Sequence, residues 1–101
     1  MDVKDLIIDA DASLVAALEQ LDKTAKKCLF VVDGSEKLTG SLSDGDIRRL
    51  ILQRGTLQGT VEEAMNSHPV SITEDERAHA VDIMHDRKIN ALPILNSEGR
   101  I

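Results

Sequence analysis

The sequence predicts an α+β fold built from two tandem copies of one β-α-β-β-α unit. Three observations carry this expectation. Short apolar runs of strand length alternate with amphipathic segments of helix length. Capping and turn signals separate them. The pattern then recurs without a gap at an offset of 63 residues.

The first series begins at Ser13. Residues 13–25 read as a helix, with Leu14, Leu18 and Leu21 on one face beside Ala17 and Ala25. Cys28–Val32 is a continuous apolar run rich in β-branched residues, the mark of a buried strand. Asp33-Gly34 signals a turn, and Leu38–Leu42 resumes as a second strand. Ser43-Asp44-Gly45 opens a helix that carries Ile47, Leu50 and Ile51, with Gly55 near its end. Thr60–Glu63 has the form of a capping box before a short helical turn with Val61, Ala64 and Met65.

The second series repeats this order. Pro69–Thr73 reads as a short strand, and Thr73 with Glu76 forms another capping box. A helix is expected from there to about Arg87, with Ala80, Val81 and Met84 on one face. Ala91–Leu95 is a further apolar run, followed by a turn at Ser97-Glu98-Gly99. Ala17 falls on Ala80, Leu21 on Met84, Leu29 on Leu92, Val31 on Ile94 and Leu38 on Ile101. The first copy is assigned to residues 1–58, and residues 59–101 hold the linker and the second copy. Two such units are expected to pack their small sheets face to face across a pseudo-two-fold axis, helices outside.

Composition narrows the function. The chain has 101 residues, 42% hydrophobic and 30% charged, which suits one soluble globular domain. A domain of that size has a shallow core, so a cleft between units is a better ligand site than a deep pocket. The net charge is −6 and Phe30 is the sole aromatic residue, so the chain offers neither a cationic groove nor a stacking platform for nucleic acid. No apolar run is long enough for a membrane span, and the N-terminus lacks the pattern of a signal peptide, so a cytoplasmic location is expected. The single cysteine, Cys28, reads as a small core residue. His68, His79 and His85 lack paired ligand spacing, and no nucleophile–base pair or phosphate loop is visible, so neither a metal site nor catalysis is expected.

Four motifs in order resemble a pair of CBS domains, also called a Bateman module. They are Gly40-Ser41-Leu42-Ser43-Asp44-Gly45-Asp46-Ile47, which fits Gly-x-x-Ser/Thr-x-x-Asp; Val61-Glu62-Glu63-Ala64-Met65 followed by His68-Pro69-Val70; Ala80-Val81-Asp82-Ile83-Met84; and Ile89-Asn90-Ala91-Leu92-Pro93-Ile94. The first copy departs from the pattern at Phe30, where the family often has Pro, as the second copy does at Pro93. The second copy stops at Ile101, before a closing strand, its own Gly-x-x-Ser/Thr-x-x-Asp motif and a last helix, which gives the sequence the look of a piece of a longer protein.

The resemblance implies a regulatory module that binds AMP, ADP, ATP or S-adenosylmethionine and controls an attached domain. The style of the pair is similar to modules fused to sugar-nucleotide nucleotidyltransferases. Ser43 and Asp46 match the family residues that hold ribose and phosphate. The chemistry is sound: a carboxylate accepts charge-assisted bonds from ribose hydroxyls, and a helix start offers free N–H groups to a phosphate. Arg48 and Arg49 supply positive charge there, and Ala91, Leu92 and Pro93 supply apolar surface. The alternative for the same residues is structural: Ser43 or Asp44 caps the helix and Asp46 complements its dipole. A ligand-free dimerisation module is the competing function, and a homodimer is expected in either case because the second copy's apolar surface lacks cover.

Overall fold

Helix α1, Leu14–Lys23, follows from its cap and its spacing. Ser13 is extended, and its hydroxyl accepts from Ala16 N at 3.0 Å. Leu14, Ala17 and Leu21 recur at helical spacing and are buried together. The computed structural model describes residues 3–24, 28–87 and 92–101. The sequence assignments at Ala25, Ile89, Asn90 and Ala91 lie outside the described residues.

The first copy forms a three-stranded sheet. Strand β1 is Ile7–Asp9, β2 is Cys28–Val32 and β3 is Leu38–Ser43. β2 is central, parallel to β1 and antiparallel to β3. Leu29 and Val31 point to one face of β2 and join Leu14, Ala17, Leu21, Leu42, Ile47, Leu50 and Val61 in one core cluster. Phe30 and Val32 point to the other face and are buried as well. Cover on both faces explains why this strand is apolar throughout rather than alternating. Helix α2, Asp44–Arg54, leaves β3 directly and ends on Gly55, whose φ of 73° is the left-handed conformation that favours glycine.

The linker is bound into the first copy. Gly59 O accepts from Leu14 N at 3.1 Å, and Val61 N and Glu62 N donate to Ala12 O and Ala10 O, each at 2.9 Å. Short helix α3, Val61–Ala64, follows Thr60, whose N–H donates to Glu63 Oε2 at 2.8 Å. Asn66 then exchanges two backbone bonds with Ser41 of β3, at 2.8 and 2.9 Å. That approach requires Gly40: a Cβ there would stand 2.6 Å from Met65 Sδ and 2.8 Å from Asn66 O.

The second copy is thinner. Strands β4, Ile72–Thr73, and β5, Ile94–Leu95, form a separate parallel pair, joined by a 3-10 segment, Glu74–His79, and helix α4, Ala80–Arg87. Two expectations are corrected here. The helix expected from Thr73 begins as 3-10 turns and becomes α-helical only at Ala80. Val81, expected on the apolar face, is 78% exposed.

A two-fold relation between the copies is visible in one contact. Lys37 and Arg100 form an antiparallel bridge, and they occupy the same position in the two copies at the offset of 63 residues. A rotation that exchanges the copies maps this pair onto itself. Leu38 N donates to Gly99 O at 3.0 Å beside it, and Arg100 Nε donates to Ser35 O at 2.9 Å. The offset is 63 residues from Val31 to Ile94, but their strand partners Ile8 and Ile72 are 64 apart, so the second copy is one residue shorter between its two paired strands. Among the described residues no helix is long and apolar enough to cross a membrane.

Candidate functional site

The junction of β3 and α2 carries the residues that the sequence singled out. Ser43 is the last residue of β3 and the N-cap of α2. Its backbone N–H donates to Asp46 Oδ2 at 2.9 Å and its hydroxyl donates to the same oxygen at 3.1 Å. Asp46 N–H returns a bond to Ser43 Oγ at 3.3 Å. This reciprocal box is a stronger structural role than the dipole contact expected for Asp46. It leaves Oδ1 outside the box, where Arg49 Nη1 approaches to 3.4 Å.

Burial separates the partners. The Asp46 side chain is 17% exposed and the Arg49 side chain 70%. Arg49 lies three residues after Asp46 and shares its side of the helix, whereas Arg48 does not. Arg48 is exposed and has no ion-pair partner among the described residues. The sequence therefore named two arginines, and the structure brings one of them to the carboxylate.

Cys28 belongs to the same neighbourhood. It pairs with Ser43 across β2 and β3 and is half-buried rather than a full core residue. Burial pushes its thiol pKa up, and the Asp46 carboxylate pushes it further; a backbone hydrogen bond at Leu42 opposes both. Only the strand register reveals this proximity, since the two residues are far apart in sequence.

In the second copy Pro93 is buried and Leu92 half-buried. Pro93 O accepts from Ile72 N at 3.1 Å, which ties β4 to the residues before β5. Ala91 lies outside the described residues.

A second feature was not foreseen. A cleft of about 620 Å³ is lined by Ile7, Ile8 and Asp9 of β1, by Ala12, Ala16 and Gln20, by Val32 and Glu36, and by Arg100 and Ile101 of the second copy. None of Ser43, Asp46, Arg48, Arg49, Leu92 or Pro93 lines it. Its floor rests on β1, a strand that the sequence signalled only by the triplet Leu6-Ile7-Ile8 between two aspartates. Gln20 holds the start of β1 through its Nε2 group, which donates to Asp5 O at 3.0 Å and Ile7 O at 2.8 Å. Among the described residues no group of three or more His, Cys, Asp or Glu is arranged to hold a metal ion.

Comparison with known proteins fits this arrangement. Residues 1–53 and 61–101 match the family described as CBS domain. Arabinose 5-phosphate isomerase GutQ of Escherichia coli K12 is 32% identical over 67 residues, and that of Shigella flexneri 31%; each match covers 66% of this chain and 21% of the relative. The chain thus spans about a fifth of the length of these curated relatives. The CBS domain pair of protein MJ0100, solved with 5′-methylthioadenosine and S-adenosyl-L-methionine, is 26% identical with a TM-score of 0.74, over 100% of this chain and 88% of that one. CBSX2, solved with AMP, is 23% identical with a TM-score of 0.70, over 93% and 75%.

Proposed function

The chain belongs to the CBS domain family, and on that footing we propose that it is a regulatory module that binds an adenosine-containing ligand between its two copies. One observation carries the reading. Asp46 is fixed on a helix start through Oδ2, while among the described residues Oδ1 meets an exposed arginine. A rigid carboxylate with one accepting oxygen turned outward suits a pair of vicinal hydroxyls. MJ0100 and CBSX2 were solved with ligands that share the adenosine group. Which of AMP, ADP, ATP or S-adenosylmethionine acts on this chain is a matter of the phosphate or sulfonium end.

The two-fold relation extends the proposal to a pair of half-sites. Arg100 and Ile101 line the cleft against β1 and α1 of the first copy. Their counterparts are Lys37, just before β3, and Leu38, its first residue; β3 leads to Ser43 and Asp46. Ser43 and Asp46 then serve the second half-site with Leu92 and Pro93, and the cleft on β1 is its partner. The ligand biases an attached domain. The isomerase relatives support a sugar-phosphate enzyme there, and no relative named above is a nucleotidyltransferase.

Calorimetric titration of AMP, ATP and S-adenosylmethionine into wild type and Asp46→Ala tests this. Loss of two hydroxyl bonds to a carboxylate, about 1.5–3 kcal/mol each, lowers affinity at least tenfold. Equal affinity in both proteins overturns the ribose assignment. The box adds a second effect: Asp46→Ala also costs about 1 kcal/mol of stability, because the Ser43 N–H loses its acceptor.

A dimeric state is part of the same proposal. Val81 on α4 and Leu52 on α2 are 78% and 80% exposed, and burying them against a second copy would remove that apolar surface from water. Sedimentation equilibrium at tens of micromolar, about the range where specific contacts hold, is expected to give a dimer mass. A monomer there refutes it.

A further inference from the structure

We infer that Arg49 sets a preference for phosphorylated over neutral adenosine ligands, by passing from the Asp46 carboxylate to the ligand phosphate as the ribose arrives. The inference rests on the reading of Asp46 as ribose acceptor. It starts from the unequal occupation of the two carboxylate oxygens. Oδ2 takes both Ser43 donors, and these bonds hold the first turn of α2. Among the described residues Oδ1 takes Arg49 Nη1, at 3.4 Å. Ribose hydroxyls therefore land on Oδ1, and the guanidinium gives way.

The burial of the two partners says which one moves. Asp46 is 17% exposed and tied to the helix cap, while Arg49 is 70% exposed at the end of a long side chain. An exposed ion pair of this kind holds weakly and its arginine samples many rotamers. A neutral nucleoside that takes Oδ1 leaves Arg49 without an anionic partner. A nucleotide takes the same oxygen and brings a phosphate on the same ribose, and a guanidinium binds phosphate with charge-assisted, bidentate bonds. The pair that opposes adenosine thus favours AMP.

Local charge makes a cation necessary. Asp44 and Asp46 both stand in the first turn of α2, and the chain carries a net charge of −6. A phosphate dianion approaching this turn meets two carboxylates. Among the described residues Arg49 is the cation paired with Asp46.

The test is calorimetric titration of adenosine and of AMP into wild type, Arg49→Gln, Arg48→Gln and Asp46→Ala. The wild type is expected to bind AMP at least about tenfold more tightly than adenosine, the worth of one charge-assisted bond. Arg49→Gln weakens AMP, leaves adenosine unchanged or tighter, and brings the ratio below about threefold. Arg48→Gln keeps the wild-type ratio. If Arg49→Gln keeps that ratio, or weakens both ligands equally, the role given to Arg49 falls; loss of adenosine binding in Asp46→Ala would still leave the ribose reading standing. If the wild type binds neither ligand, both readings fall.

Discussion

The turn at Asp33–Lys37 and the turn at Asn96–Arg100 match bond for bond. Asp33 Oδ1 accepts from Ser35 N at 2.8 Å and Lys37 N at 3.1 Å; Asn96 Oδ1 accepts from Glu98 N at 2.9 Å and Arg100 N at 3.1 Å. Glu36 N donates to Asp33 O at 3.0 Å, and Gly99 N to Asn96 O at 3.1 Å. Glu36 and Gly99 both sit in the left-handed region, at φ 65° and 82°. The elements around these turns diverge. All but one of the buried hydrophobic residues named for the core, Ile72, belong to the first copy or the linker. The turn repeats because it is a local hydrogen-bond pattern that an Asp or Asn side chain organises within five residues. The core does not repeat, because burial depends on what packs against each copy.

The largest effect expected from this contrast is in the core. Leu29 and Leu92 hold equivalent positions, but Leu29 is fully buried and Leu92 half-buried. Leu29→Ala should cost about 2–5 kcal/mol in chemical denaturation, and Leu92→Ala about 1 kcal/mol. Equal losses would mean that the second copy is as densely packed as the first, and the comparison would break.

A smaller effect belongs to the turns. Gly99→Ala places a Cβ in the left-handed region and should cost about 1–2 kcal/mol. Glu36→Gly removes that strain but adds chain entropy of about 0.5–1 kcal/mol to the unfolded state, so it should be neutral or raise stability by no more than about 1 kcal/mol. Thermal unfolding reads both, since 1 kcal/mol shifts the melting point of such a domain by about 4–8 °C. A harmless Gly99→Ala would show that the second turn does not hold its conformation.

The smallest effect is a pH dependence that one turn has and the other lacks. Hydrogen bonds from Lys37 N and Ser35 N hold the exposed Asp33 carboxyl below its ordinary value of 3.8. The folded pKa is depressed, so the stabilisation is present above that value and is lost as pH falls through the lower folded value. Asn96 does not titrate. Asp33→Asn keeps the acceptor oxygen and should flatten the acid side of the stability curve while leaving neutral stability nearly unchanged. Melting curves of the two proteins that fall in parallel with acid would remove Asp33 from the account.

Much of the candidate site was legible because it is compact in sequence. Ser43, Asp46 and Arg49 lie within two helical turns, and a capping box is a three-residue spacing. What the spacing did not reveal was that the box consumes one carboxylate oxygen and that Arg49 guards the other. β1 was missed because three apolar residues next to an acidic loop carry almost no periodic signal. Val81 was misplaced because a helical stripe marks a face able to be buried, not one that is covered.

The sequence by itself determined the elements set by neighbours along the chain: the caps at Ser13 and Ser43, the glycine stop at Gly55, the two turns, and the order in which helices and strands recur. Tertiary structure alone decided the rest. The Lys37–Arg100 seam, the nearness of Cys28 to Asp46, and the cleft that joins β1 to Arg100 and Ile101 all bring together residues far apart in the chain. Local patterns are encoded by bonds a residue makes within a few positions of itself. Contacts between copies depend on register and packing, which no short stretch of sequence contains.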